Sequence, residues 1–129
     1  MSKKITSISL IVNDYDEALD FYINKLNFTL IEDTQISFDK RWVLICPNEN
    51  KDFSLLLAKA SNDEQKSRIG NQTGGRVFLF LETDNFYSDY QDMINKDIKF
   101  IREPVEEEYG IVAVFSDLYG NLWDLIQRK

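Results

Sequence analysis

One order of strand-like and helix-like segments occurs twice along the chain, at a spacing of about 70 residues. In the first copy, an alternating run at residues 4–12 is followed by a helical pattern and by β-rich runs at 28–32, 41–46 and 53–58. In the second copy, the corresponding runs are 77–81, a helical pattern from residue 84, then 98–101, 112–115 and 122–126. The sequence therefore predicts an α+β fold of two βαβββ modules, each with a curled four-stranded sheet that carries a helix on one face.

The two copies also agree at particular positions. The shift lays Asp14 on Asp84, Phe28-Thr29-Leu30-Ile31 on Ile98-Lys99-Phe100-Ile101, and Val43-Leu44-Ile45 on Ala113-Val114-Phe115. Asp14 with Glu17 three residues later predicts a helix N-cap, and Asp84 is expected to cap the second helix. We expect one domain with a first module at residues 1–60, a polar linker at 61–75 and a second module at 76–129.

Composition and charge exclude several classes of function. The chain has 15 basic and 22 acidic residues and a net charge of −7, which disfavours a nucleic-acid backbone or an anionic membrane as partner. No apolar run has the length of a membrane span, and no signal-peptide pattern precedes the first strand, so we expect a cytoplasmic protein. The chain has no histidine and one cysteine, Cys46, so it lacks the usual ligands of zinc, copper, nickel and iron. Only an all-oxygen metal site remains possible, and no other metal or cofactor is expected.

The closing stretch, residues 112–127, predicts a β-hairpin that ends on a placed carboxylate. Asp117-Leu118-Tyr119-Gly120-Asn121 has the composition of a tight turn between two β-rich runs. Alternation in the second run puts Asp124 on the same face as Leu122 and Ile126. A carboxylate on an apolar face needs a partner, which can be a ligand or a structural ion pair with Arg41, Arg76 or Arg102.

The repeated order, the opening I-S-L-I-V-N-D-Y-D-E-A-L-D-F-Y-I-N-K-L-N-F and the closing V-A-V-F-S-D-L-Y-G-N-L-W-D-L-I resemble the vicinal oxygen chelate superfamily. That superfamily includes glyoxalase I, extradiol dioxygenases, and fosfomycin- and bleomycin-resistance proteins. The resemblance implies a homodimer whose open cups are completed by a second chain. It also implies four metal-holding positions, which fall here on Ser7, Phe78, Asp124 and a residue within Ser54 to Leu56. Only Asp124 among them is a good metal ligand.

The inward positions of the predicted strands describe the cup. With Phe78 inward, as the resemblance implies, alternation adds Phe80 and Glu82, the first strand contributes Ser7 and Ser9, and the last strand contributes Asp124. An aromatic surface with acid groups suits a small, planar or cationic organic ligand, so we expect metal-independent binding of such a molecule, as in the bleomycin-resistance branch. Two alternatives stay open: Phe78 and Phe80 are core residues, or Asp124 and Glu82 serve an enzyme, through an oxygen-only metal site of the lyase or dioxygenase type or as acid-base groups.

Three further expectations concern single features. Trp42 and Trp123 are expected to be packing residues, and Cys46 a small buried apolar residue. Glu106-Glu107-Glu108 is expected to be a solvated loop.

Overall fold

The computed structural model describes residues 2–49 and 51–129, and the chain divides into two compact units, Met1–Arg68 (unit 1) and Ile69–Lys129 (unit 2). Unit 1 contains β1 (Ser7–Val12), α1 (Tyr15–Leu19), a π-helical segment (Asp20–Lys25), β2 (Thr29–Gln35), β3 (Arg41–Cys46), β4 (Ser54–Lys59) and α2 (Asp63–Lys66). Unit 2 contains β5 (Leu79–Glu82), α3 (Phe86–Asn95), β6 (Phe100–Glu107), β7 (Gly110–Ser116) and β8 (Leu122–Arg128).

Both units have the same sheet topology. The strand orders are β1-β4-β3-β2 in unit 1 and β5-β8-β7-β6 in unit 2. In each sheet the first and fourth strands are parallel neighbours, and the other neighbouring strands are antiparallel. The helix after the first strand returns the chain to the end of the sheet from which that strand began, which allows this parallel pairing. The predicted α+β fold with two βαβββ modules and sheets that do not close is confirmed.

The first helix begins where the sequence predicts. The Asp14 carboxylate accepts a hydrogen bond from the Glu17 backbone N–H at 2.9 Å, and Asn27 leaves the helix with a positive φ of 62°. The prediction of one regular α-helix is wrong for its second half, because residues Asp20–Lys25 form wider π-helical turns. Phe21 and Tyr22 lie buried in that segment.

Each sheet packs one face against its helix. The helix-facing side of unit 1 carries Leu10, Val12, Val43, Ile45, Leu55 and Leu57, all buried. In unit 2 the same side carries Ala113, Phe115, Trp123 and Leu125, near the buried Phe86 and Met93 of α3. Burial of these side chains supplies the main stabilisation of each unit. The opposite side of each sheet is called here its open face.

The expected Asp84 cap is wrong, because the second helix begins one residue later. Asn85 is the N-cap residue, and its side chain makes no capping bond. The Phe86 N–H instead donates to Gln127 Oε1 on β8 at 2.7 Å, and the Asn85 N–H donates to Thr83 Oγ1 at 3.0 Å. A long-range contact to β8 and a local contact to Thr83 thus satisfy amide groups that a side-chain cap would have taken.

Two other expectations are corrected. Glu106 and Glu107 belong to β6, which extends well beyond the predicted end at residue 101 and pairs with β7 as far as Glu107–Gly110. Trp123 is buried (2% exposed), whereas Trp42 is 40% exposed and is not a core residue. Cys46 is buried, and its thiol donates to the Asn48 carbonyl.

Within the described residues, no helix has the length and hydropathy that crossing a membrane requires.

Candidate functional site

A row of four side chains crosses the centre of the open face of unit 2. The backbone register pairs Phe80 with Asp124, Asp124 with Val114, and Val114 with Arg102. The row therefore presents an aromatic ring, a carboxylate, an aliphatic group and a guanidinium in that order. Phe80 is 66% exposed and Arg102 is exposed, while Val114 is buried.

Asp124 is partly buried at the second position of this row. Burial raises the pKa of the Asp124 carboxyl, and the positive charge of Arg102 acts in the opposite direction. No side chain in the described ranges 2–49 and 51–129 forms a hydrogen bond or an ion pair within 4.0 Å with Asp124. The carboxylate is thus partly desolvated and has no direct partner among the described side chains, an arrangement that favours a charged or hydrogen-bonding ligand.

Structural pairing of Asp124, the alternative considered from the sequence, is absent from the described part of the chain. Arg41 lies in unit 1 and binds Asp33 and Asp16. Arg102 stands two strands away from Asp124 across Val114, which is about 10 Å between backbones at the usual strand spacing. The positive charge of Arg102 therefore acts on the pKa of Asp124 over a distance, and the two side chains form no ion pair.

Arg102 reaches the open face because of a β-bulge, which sequence alternation could not show. Phe100 pairs with Phe115 and Arg102 pairs with Val114, so β6 advances two residues while β7 advances one. Phe100 contacts Tyr90 of α3 at a ring distance of 4.6 Å and faces the helix. Without the bulge Arg102 would face the helix too, because residues two apart share a face. No local signal in the sequence marks this position.

The turn before β8 fixes the register that puts Asp124 in the row. Asp117 is buried, and its Oδ1 accepts from the backbone N–H groups of Tyr119 and Asn121, each at 2.9 Å. Its Oδ2 accepts from Asn121 Nδ2 at 2.8 Å. Gly120 has a φ of 103°, which favours glycine. The residues that predicted a turn thus form one.

The other residues proposed from the sequence are distributed over both units. Glu82 lies on the open face of unit 2 and pairs with Ile126 in the backbone register. Its side chain is exposed, and its Oε1 lies 3.7 Å from Arg128 Nε. Phe78 is partly buried just before β5, and its N–H donates to the Leu122 carbonyl at 2.7 Å. Ser7 and Ser9 are exposed on β1 of unit 1. The structure brings Phe80, Glu82 and Asp124 onto one sheet face, and it places the two serines in unit 1.

Unit 1 carries a corresponding row on its own open face. Its members, from β1 to β2, are Ser9, Leu56, Leu44 and Glu32. A bulge between Leu30 and Glu32 brings Glu32 onto this face, as the bulge in β6 brings Arg102 onto the other. Leu56 therefore occupies the place that Asp124 has in unit 2.

The residues present do not fit a divalent metal. Phe78 has no donor atom, neutral serine is a weak ligand, and the Ser54 to Leu56 segment offers only one hydroxyl side chain. Among the residues that the structure describes, no three His, Cys, Asp or Glu side chains come together as a metal-holding group. Asp124 alone at the positions implied by the resemblance falls short of the three protein ligands of a catalytic zinc site.

Comparison with solved structures extends over nearly the whole chain. UcmS2 has 25% identity with this chain and a TM-score of 0.85, with 98% of each chain covered. TnmS3, described as an antibiotic binding protein from Streptomyces sp. CB03234, has 26% identity and a TM-score of 0.79, with 99% of this chain and 98% of that chain covered.

Sequence comparison gives the family. An uncharacterized protein of Shewanella frigidimarina (strain NCIMB 400) is 62% identical over 128 residues, which cover 98% of this chain and 95% of that protein. The model of the Glyoxalase/Bleomycin resistance protein/Dioxygenase superfamily matches residues 4–125. Two further solved structures are described with the same wording, a member of the glyoxalase/bleomycin resistance protein/dioxygenase superfamily from Sphaerobacter thermophilus DSM 20745 (25% identity, TM-score 0.81) and a glyoxalase/bleomycin resistance protein from Streptomyces sp. CB03234 (26% identity, TM-score 0.73). The chain therefore belongs to the glyoxalase/bleomycin resistance protein/dioxygenase superfamily.

Proposed function

We propose that the protein binds a small, planar organic cation on the open face of unit 2, without a metal ion. The observation that carries the proposal is Asp124, a partly buried carboxylate whose pKa is raised by burial and which no described side chain neutralises directly. A cationic ligand would supply the missing counter-charge in a site where water is partly excluded. Phe80 beside it offers an exposed aromatic ring for stacking or a cation-π contact.

The family relationship supports binding in preference to a particular reaction. TnmS3, similar to this chain at 26% identity over nearly its full length, is described as an antibiotic binding protein. The side chains at the metal-holding positions of the superfamily do not fit a metal here, which disfavours a lyase or dioxygenase of that type. We infer that small-molecule binding is the function of the chain, in the cytoplasm, where its one cysteine would remain reduced.

A homodimer is part of the proposal. Each sheet has two edge strands, β1 and β2 in unit 1 and β5 and β6 in unit 2. Several apolar side chains away from the proposed ligand site are strongly exposed, including Ile5 (80%) and Ile36 (56%). A second copy would cover edges and apolar groups of this kind. Light scattering at micromolar concentration should give twice the chain mass of 15.2 kDa, and a stable monomer would contradict this part.

The binding proposal is tested with two probes that share one ring system, one charged and one neutral. Calorimetry should show saturable binding of 2-naphthylmethylammonium, weaker binding of neutral 2-naphthalenemethanol, and a loss of the difference at high salt. Elemental analysis of the purified protein should find no stoichiometric metal.

An aromatic substitution tests the place of binding. Phe80→Leu should weaken binding of the ammonium probe about fivefold or more, because the stacking surface is lost. Phe38→Leu, at a fully exposed aromatic residue of unit 1, is the matched control and should leave the affinity unchanged. Equal affinities for the charged and neutral probes, or a stoichiometric metal removed by Asp124→Ala, would overturn the proposal.

A further inference from the structure

Unit 1 contains a cavity of about 550 Å³ that the proposed function does not use. The cavity lies at the end of the sheet where β4 ends and β3 begins, and α2 contributes to its wall. Its volume is within the range of small-molecule sites in proteins. All of its lining residues belong to unit 1.

Aromatic and aliphatic groups form one part of the cavity wall. Trp42 of β3 lines it with an indole that is 40% exposed, beside Leu56 and Ala58 of β4. Large aromatic side chains are normally covered in a folded domain, and this one has been left accessible in a concave site. The wall is therefore suited to the face of a planar ring.

Positive charge is concentrated in the rest of the wall. Three lysines line the cavity, Lys40, Lys59 and Lys66, and none of them is within ion-pair distance of an acid in the described ranges of the chain. Arg41 also lines it, but its guanidinium is held by Asp33 and Asp16 and lies 5.1 Å from the centre of the Tyr15 ring. Asp39 is the one acid in the lining.

This charge is opposite to that of the chain as a whole. Acidic residues outnumber basic ones by 22 to 15 over the sequence, yet four basic residues and one acidic residue line the cavity. Because Arg41 pairs with acids outside the cavity, three lysine ammonium groups face the single carboxylate of Asp39 among the described lining residues, which leaves an excess of two positive charges. Such a local excess attracts and holds an anion.

We infer that this cavity of unit 1 is a second binding site, for a planar aromatic anion such as an aromatic carboxylate. The ring lies against Trp42, Leu56 and Ala58, and the anionic group is held by Lys40, Lys59 and Lys66. The site goes beyond the proposed function, since it lies in the other unit and selects the opposite charge.

The test uses 2-naphthoate as the probe and the intact protein. Each of the two tryptophans, Trp42 and Trp123, gives its own indole N–H signal in a ¹H–¹⁵N spectrum, and Trp42→Phe assigns them. Titration with 2-naphthoate should shift the Trp42 signal in a saturable manner and leave that of the buried Trp123 in place. Binding should weaken as salt rises from about 20 to about 300 mM.

Lysine variants connect the binding to the cavity. Lys59→Gln with Lys66→Gln should raise the Kd for 2-naphthoate about tenfold, because two charge-assisted contacts are lost. Lys99→Gln, at an exposed lysine of unit 2, is the matched control and should leave the Kd unchanged. If the double variant fails to fold, Lys40→Gln replaces it and should raise the Kd about threefold or more.

Three results would overturn the inference. They are no saturable binding of 2-naphthoate, equal binding of neutral 2-naphthalenemethanol, and a Kd that the lysine substitutions do not change. None of these results bears on Asp124, so the proposed function of unit 2 stands or fails separately.

Discussion

The open faces of the two units are built on one backbone plan and carry different chemistry. At corresponding places the rows read Ser9, Leu56, Leu44 and Glu32 in unit 1, and Phe80, Asp124, Val114 and Arg102 in unit 2. Both rows end on a residue that a β-bulge brings to the open face, and that residue is acidic in unit 1 and basic in unit 2. The backbone is thus repeated while the functional side chains are not.

The carboxylates of the two units show what this difference does. In unit 1, Glu32 is exposed and accepts a hydrogen bond from Thr34 at 3.0 Å, and Asp33 is bound by Arg41 at 2.6 Å. In unit 2, Asp124 lies between Phe80 and Val114 on the neighbouring strands. The positively charged residue of the same row, Arg102, is two strands away. Unit 1 therefore neutralises or solvates its acids near this row, and unit 2 leaves one acid available for a ligand.

The largest expected effect concerns the connection that leads into the fourth strand of each unit. Unit 2 uses the tight turn at residues 117–121, where Asp117 holds three N–H donors, whereas unit 1 uses a longer connection between β3 and β4. Asp117→Ala should lower the free energy of unfolding by about 3 kcal/mol, because buried donors lose their acceptor. Chemical denaturation measures it.

Asp117→Asn is the matched control for this prediction. It keeps one acceptor oxygen for the backbone and should cost about half as much. If the alanine variant were as stable as the wild type, the turn would not be what sets the register of β8.

The second prediction concerns the ion pairs of unit 1. The Arg41 side chain is 20% exposed, binds Asp33 through two nitrogens at 3.1 and 2.6 Å, and reaches Asp16 at 2.9 Å. Arg41→Gln should lower the free energy of unfolding by about 1 to 2 kcal/mol, since a two-point contact to a partly buried arginine is lost. Arg68→Gln removes an exposed pair with Glu64 and should change stability by less than about 0.5 kcal/mol. Equal effects of the two substitutions would contradict a special role for Arg41.

The smallest effect is an opposite pH dependence of the two aspartates. The Arg41 contact lowers the pKa of Asp33 below its ordinary value of 3.8, so its stabilising contribution is present at neutral pH and is lost as the pH falls through the lowered pKa. Burial raises the pKa of Asp124, so its charged form costs stability at neutral pH, and that cost disappears as the pH falls through the raised pKa.

Two isosteric variants, compared with the wild type between about pH 7 and about pH 3, measure this difference. Asp33→Asn should be less stable than the wild type at neutral pH, and Asp124→Asn as stable or more stable by up to about 1 kcal/mol. Both differences should shrink as the pH falls. Shifts of the same sign for both variants would break the comparison between the units.

Much of this molecule could be predicted from the sequence, and the failures have physical causes. Alternating and helical periodicities gave the order of elements, because each sheet buries one face and each helix one stripe. The turn at residues 117–121 and the cap at Asp14 were predictable because both are local. The prediction of Asp84 as the N-cap of the second helix was wrong, because Gln127, about 40 residues away, accepts a hydrogen bond from the first backbone N–H of that helix.

The parts of the site that could not be predicted depend on register and on contacts between distant segments. Alternation placed Asp124 and Phe80 on one face, but a bulge decides where Arg102 points, and alternation fails across a bulge. The cavity beside Trp42 is lined by residues of β3, β4 and α2, which are separate in the sequence, so its lysines come close together only in the folded chain. Trp42 was expected to be a packing residue, because the size and hydrophobicity of a side chain do not show which face of a strand is covered.

The measurement that tests the central claim most directly is a comparison of Asp124→Asn with the wild type for melting temperature and for affinity toward 2-naphthylmethylammonium. If Asp124 is held for a ligand, the variant keeps the melting temperature, and its affinity falls about tenfold to a hundredfold through the loss of a charge-assisted contact, about 1.5 to 3 kcal/mol. If Asp124 is half of a structural pair, the melting temperature falls steeply, because an arginine is left without its counter-charge, while the affinity per folded molecule stays the same. That second result would contradict the account and remove Asp124 from the site.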